Sequence, residues 1–137
     1  MKQMLVHVCC VPDLLAASKI LMKEDLKVYV YFYNPNIDDS SEYFLRKSQL
    51  KKVPLEYGFE EIYSVYDPNR YLAFISENIE GMDRCQKCIY MRMEKTFETA
   101  AEKGFLHVTT TLTASPRKEQ EFIRRIGQAL SLKYRVT

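Results

Sequence analysis

Four short runs rich in Val, Ile, Tyr and Phe recur along the chain, each followed by a stretch with helical spacing, and this alternation leaves little choice of fold. Residues 4–9 (Met-Leu-Val-His-Val-Cys) are apolar nearly throughout, as a strand buried on both faces reads. Residues 28–33 repeat the signature with β-branched and aromatic side chains and close on Asn34-Pro35-Asn36. Residues 61–66 and 105–109 supply the third and fourth runs. Between them, Pro12 suits the first turn of a helix whose inner face is Leu14, Leu15, Ala17, Ser18, Leu21 and Met22. An acidic, Ser-rich start opens a helix over residues 38–52, and Asp67-Pro68 opens a short one over Tyr71, Leu72 and Ile75. A long helix over residues 83–103 has Ile89, Met93, Phe97 and Ala100 as its core stripe and Gly104 as its C-terminal cap. Pro116 opens the last helix, running to about Leu132. Strands separated by helices pair in parallel through crossovers. The expected fold is therefore α/β, a single domain over residues 1–137 built on a doubly wound parallel sheet with helices on both faces. In such sheets ligands bind beyond the carboxyl ends of the strands, where the strand order reverses.

Composition narrows the class further. With 137 residues, 47% hydrophobic, and only four Gly and five Pro, the chain can bury a core without disulfide staples and is neither collagen-like nor disordered. Its longest apolar runs fall far short of the roughly 20 residues a bilayer span needs. The start, Met1-Lys2-Gln3-Met4, lacks the small-residue cleavage site of a signal peptide, so a soluble cytoplasmic domain without a membrane partner is expected. Charge is uneven: residues 1–115 hold 14 Lys and Arg against 16 Asp and Glu, whereas residues 116–137 hold six against two. A basic last helix suits a phosphate backbone, and it equally suits an ordinary solvated face.

The chemistry-bearing residues cluster at the strand ends. Cys9-Cys10 closes the first strand, and Cys85-Gln86-Lys87-Cys88 occupies the first turn of the long helix. The helix spacing puts Cys85 and Cys88 on one face, where the helix dipole and Arg84 favour thiolates. Two close cysteine pairs in a cytoplasmic protein point to metal or redox chemistry; free cysteines also serve as small buried hydrophobes. Four soft ligands suit zinc or an iron–sulfur cluster, and adjacent cysteines, which point apart on a regular strand, fit a cluster better than a closed tetrahedral zinc site. Asp13 is either an acid stabilised by the helix N-terminus or a hard oxygen ligand beside the thiolates. His7 and His107 lie inside strands and are read as hydrogen-bonded core residues, and Tyr29, Tyr31 and Phe32 as packing. The hydroxyls of Thr109, Thr110, Thr111, Thr113 and Ser115 gather near the sheet's carboxyl edge, as substrate contacts or as caps. Asn34-Pro35-Asn36 is a turn or a substrate-reading loop.

Four segments, in order and in register, resemble the QueH-type epoxyqueuosine reductases: His7-Val-Cys-Cys-Val-Pro-Asp13, Phe32-Tyr-Asn-Pro-Asn-Ile37, Arg84-Cys-Gln-Lys-Cys88 with Arg92, and Thr109-Thr-Thr-Leu-Thr-Ala-Ser-Pro116 with Lys118. The resemblance implies a fold related to the adenine-nucleotide α-hydrolases (HUP, Rossmann-like), without the Ser-Gly-Gly loop of the ATP-using members. It implies removal of the epoxide oxygen of epoxyqueuosine at the tRNA wobble nucleoside by a 4Fe–4S cluster with an additional iron ion. Carried onto this chain, Cys9, Cys10, Cys85 and Cys88 are metal ligands. Asp13 stands where many members have another Cys and some have Asp, and it becomes an oxygen ligand, acting with Cys10 at the reacting centre. The reaction needs two electrons, two protons and a Lewis acid for the leaving oxygen, so an external electron donor is implied. Asn34, Asn36, Thr110 and Ser115 are the substrate-pocket candidates. Arg92, Arg117 and Lys118 are candidates for tRNA phosphate, with an ion pair to Glu94 or Glu98 as the other reading of Arg92. Family chains run some tens of residues further, so a missing fifth strand is expected to leave one sheet edge and part of the pocket uncovered. A non-catalytic remnant that still binds metal or tRNA is the alternative, and the oligomeric state is left open.

Overall fold

The computed structural model describes residues 2–114 and 119–137. Four parallel strands, β1 (Lys2–His7), β2 (Leu26–Tyr31), β3 (Glu60–Ile62) and β4 (His107–Thr110), form one sheet in the order β3-β2-β1-β4. Six α-helices intervene or follow: α1 (Val11–Leu21), α2 (Ser40–Leu50), α3 (Lys52–Tyr57), α4 (Pro68–Ser76), α5 (Arg84–Lys103) and α6 (Gln120–Tyr134). The strand order runs outward from β1 to β2 and β3, then returns to place β4 on the other side of β1. That reversal puts the switch point between the ends of β1 and β4, the place a doubly wound sheet reserves for ligands.

Strand alternation divides the core in two. Leu5, Tyr31 and Tyr33 pack with Ile89, Met93 and Phe97 of α5 and with Phe122 and Ile126 of α6. Val6, Val28, Val30 and Phe32 pack with Leu14 of α1, Leu50 of α2 and Val53 of α3. Helices thus cover both faces, and each buried aliphatic side chain contributes about 1.5–3 kcal/mol. Thr99 donates to the Tyr31 hydroxyl at 3.1 Å, which satisfies the one polar atom this aromatic residue carries into the core.

Several boundaries differ from expectation. β1 and β2 begin and end two residues earlier than the apolar runs suggest, because Val8, Phe32 and Tyr33 remain buried after leaving the ladder. Hydrophobicity tracks burial, and burial outlasts pairing. β3 is cut to three residues, and β4 starts at His107. The helix expected over 38–52 ends at Leu50, and a second helix, α3, follows at once. Pro54 has no N–H to give the Leu50 carbonyl, so the ladder breaks there. Leu15 and Met22 are 40% and 55% exposed, contrary to their expected place on the inner face of α1. The buried stripe is Leu14, Ser18 and Leu21; Leu15 stands about 100° round the helix from Leu14, and Met22 is already the C-cap. Leu72 is likewise exposed beside the buried Tyr71.

The long helix follows its expected span. Asp83 caps it in a reciprocal box with Gln86, and Gly104 ends it in the left-handed region at φ 80. At the other end of the chain, the Thr137 N–H donates to the Leu106 carbonyl and the Val108 N–H donates to the Thr137 carbonyl, both at 2.9 Å. These two bonds form a parallel bridge against His107 on the outer edge of β4. Among the described residues no strand covers that edge at Thr109 and Thr110.

Candidate metal centre

β1 delivers the chain to the switch point, and three residues then turn it into α1. Cys10 is the N-cap of α1, with extended backbone at φ −163 and ψ 163, and Asp13 lies in the first turn. The turn lets neighbouring cysteines converge, which a regular strand forbids. The two sulfurs are 3.7 Å apart, and the Cys9 thiol donates to Asp13 Oδ2 at 3.0 Å. Ligand atoms of Cys9, Cys10 and Asp13 all lie within 4.8 Å of one another. Burial, then the hydrogen bond to Asp13, pushes the Cys9 pKa up to about 12, so without metal this group is a thiol at neutral pH. Two soft sulfurs and one hard oxygen make a donor set that fits a transition metal accepting both, such as iron.

The second cysteine pair stands at the start of α5. Cys85 is exposed and Cys88 is 9% exposed, packed with Tyr71 and Met91. The Tyr71 hydroxyl faces Cys88 and Arg84; its own burial, then the Cys88 sulfur, raises its pKa. Lys87 donates to the Ile75 carbonyl at 3.2 Å and to the Glu77 carbonyl, tying this turn to the end of α4. Cys85 and Cys88 are not among the atoms within 4.8 Å of Cys9, Cys10 and Asp13.

A buried polar network lies behind these segments. Asn34, 2% exposed, donates through Nδ2 to the Val8 carbonyl at 2.9 Å and accepts from the Arg92 guanidinium at 3.2 Å. Arg92, 3% exposed, also donates to the Cys88 carbonyl at 3.4 Å. Both residues therefore face inward: Arg92 is too buried to meet a phosphate at the surface, and both amide ends of Asn34 are occupied by protein. Arg92 makes no ion pair with Glu94 or Glu98 either, since Lys133 holds Glu94 and Lys95 holds Glu98.

His7 behaves as a core histidine. A carbonyl can only accept, so Nε2 carries the hydrogen that bonds the Tyr33 carbonyl at 2.9 Å, and Nδ1 accepts from the Thr110 hydroxyl at 3.0 Å. Burial first, then the Arg92 charge, lowers its pKa to about 3. The Thr110 hydroxyl is consequently engaged with His7, and it also accepts from the Leu112 N–H at 3.1 Å. The threonine that reaches the cysteines is the next one. Thr111 Oγ1 accepts from the Cys9 N–H at 3.2 Å and lies 3.5 Å from the Cys9 sulfur. The run of three threonines marked this neighbourhood in the sequence, but which one turned toward Cys9 depended on where β4 ended. Asn36 Oδ1 is buried without a partner among the described residues. Ser115, Arg117 and Lys118 lie outside the described residues. A cleft of about 650 Å³ runs beside the outer edge of β4, between α5 and α6, with His7 and Thr110 in its wall.

Comparison with known proteins places this geometry. A family model described as "Epoxyqueuosine reductase QueH" matches residues 4–137. The chain belongs to the QueH family. Among QueH relatives named epoxyqueuosine reductase, that of Thermotoga maritima is 35% identical over 142 residues, covering 99% of this chain and 72% of the relative. That of Haemophilus influenzae is 30% identical, covering 96% of this chain and 55% of the relative. That of Streptococcus pyogenes serotype M1 is 33% identical, covering 90% of this chain and 51% of the relative. The chain therefore spans about half the length of the latter two. Its QueH membership makes it kin to metal-dependent redox enzymes, and its cysteine cluster lies at the sheet's switch point. No described helix is long and apolar enough to cross a membrane.

Proposed function

We propose that this chain removes the epoxide oxygen of epoxyqueuosine at the wobble nucleoside of tRNA, giving queuosine. One observation carries the reading: a QueH match over residues 4–137 in a chain that converges Cys9, Cys10 and Asp13 within 4.8 Å. In this proposal Cys9, Cys10, Cys85 and Cys88 hold a 4Fe–4S cluster, and Asp13 offers its oxygen to an additional iron. When bound, these irons supply the reducing electrons and a Lewis acid. The balance is two electrons and two protons per epoxide, the oxygen leaving as water and an alkene remaining in the ring. An external donor must supply the electrons.

The chain's own residues account for the rest of the site. Thr111 and Asp13 hold the Cys9 thiol until metal arrives. The His7 imidazole, neutral and fully bonded, fixes the wall behind the cysteines. Asn36, whose Oδ1 is buried without a partner among the described residues, remains the substrate-pocket candidate on its loop. Ser115 is the further substrate-pocket candidate, and Arg117 and Lys118 are the candidates for tRNA phosphate contact.

The test is iron, acid-labile sulfide and zinc per chain after anaerobic reconstitution, followed by turnover of epoxyqueuosine-containing tRNA with a chemical reductant. Four or more irons with matching sulfide, lost in the double variant Cys85→Ala/Cys88→Ala, together with queuosine formation, is the expected result. About one zinc and no sulfide, or a loaded cluster that leaves the epoxide intact, overturns it.

A further inference from the structure

Arg92 is the only charged residue fully buried among those described, and no carboxylate lies within ion-pair distance of it. A buried guanidinium without a counter-charge is costly unless something else neutralises it. Its surroundings show where that something lies. The Asn34 amide, bonded to Arg92 on one side, bonds the Val8 carbonyl on the other. That carbonyl belongs to the peptide whose N–H is that of Cys9, and the same N–H is held by Thr111. The guanidinium's other bond is to the carbonyl of Cys88 itself. A continuous polar strut therefore runs from the Val8–Cys9 peptide through Asn34 and Arg92 to Cys88, joining a loop and a helix that carry one cysteine pair each.

We propose that Asn34 and Arg92 form a positioning strut that sets the two cysteine pairs against each other, and that the Arg92 cation balances the negative charge of the metal-bound thiolates. The inference rests on the metal-centre reading of the four cysteines. Metal with several thiolates carries net negative charge, and a fixed cation nearby offsets it without reorganisation. The strut explains why both partners are buried, and why Arg92 hydrogen-bonds an amide oxygen and a carbonyl in place of a carboxylate. A carboxylate there would neutralise the cation before any metal bound.

The signature separating this role from ordinary packing is opposite behaviour in the two states. Without metal, Arg92 is an uncompensated buried charge, so Arg92→Met should melt no lower than wild type. With metal, the same variant should lose stabilisation. The experiment is titration of the metal-free full chain with Co(II), read by thiolate-to-metal charge-transfer absorption, with thermal melts before and after loading. Arg92→Met is expected to weaken Co(II) binding by about tenfold, the scale of changes just outside a ligand shell. Arg92→Lys should recover part of the affinity through charge alone. Asn34→Asp supplies Arg92 with a carboxylate, so it should raise the metal-free melting temperature and weaken Co(II) binding. Unchanged Co(II) affinity in both Arg92→Met and Asn34→Asp, or equal destabilisation of both states by Arg92→Met, overturns the proposal while the metal centre stands. Failure of wild type to bind Co(II) through thiolates removes the metal-centre reading and the strut's role with it.

Discussion

Thr111 shows how one hydroxyl can serve two atoms of the same residue. It accepts the Cys9 N–H and lies against the Cys9 sulfur, and it is 2% exposed, so water cannot replace it. Thr111→Val keeps the shape and removes the acceptor. The orphaned N–H should cost about 1–3 kcal/mol, read as a lower midpoint in urea unfolding of the metal-free chain. Iron per chain after reconstitution should fall as well. Asp13 is the converse case. Asp13→Asn keeps an oxygen near Cys9 and removes its charge, so the metal-free chain should unfold at nearly the same urea concentration while metal content drops. A large loss of metal-free stability instead would make Asp13 a structural helix acid and no ligand.

The N-terminus of α5 presents the Cys85–Cys88 turn, and it is held by interactions local in sequence. Asp83 and Gln86 satisfy each other's backbone N–H groups. Asp83→Ala should cost about 1 kcal/mol by removing that box, with faster amide exchange confined to the first turn of the helix. The two ends of α5 differ in what they risk. Gly104 sits at φ 80 with open space where a Cβ would go, so Gly104→Ala strains only the backbone, by about 1 kcal/mol, and should leave metal content unchanged. Cysteine placement thus depends on the N-terminal cap far more than on the C-terminal one.

Across the whole molecule, His7 pins the switch point. It is the β1 partner of Thr110 in the register of the two strands, and its ring joins that pair to the Tyr33 carbonyl beyond β2. Three chain segments, up to 103 residues apart in sequence, therefore meet on one neutral imidazole. His7→Leu should lower the melting temperature, since it orphans the buried Tyr33 carbonyl at about 1–3 kcal/mol, whereas His7→Gln should restore part of the loss. Charge also acts at this scale. If the chain acts on tRNA as proposed, the surplus of Lys and Arg over residues 116–137 should make tRNA affinity fall with salt, and Arg117→Ala/Lys118→Ala should reduce the log–log salt slope by about 1.5–2. An unchanged slope in an anisotropy titration would place the phosphate contacts elsewhere.

Local chemistry made much of this legible beforehand. The alternation of apolar runs with capped helical stretches specified a parallel α/β sheet, because hydrophobic period and capping residues are written within a few positions of each other. The same held for α5, whose Asp83 and Gly104 mark both ends. Cys9, Cys10 and Asp13 were legible as a cluster because a turn between β1 and α1 brings neighbours together whatever the rest of the fold does. The destinations of Asn34, Arg92, Thr110 and Thr111 were not legible. Each is a polar residue whose partner lies 26 to 103 positions away, at Val8, Asn34, His7 and Cys9. Those pairings exist only once β1 lies between β2 and β4 and α5 packs beneath them. Sequence by itself determined which residues could bond; the tertiary structure decided which of them met, because burial removes water as a partner and leaves each group only the neighbours the sheet order provides.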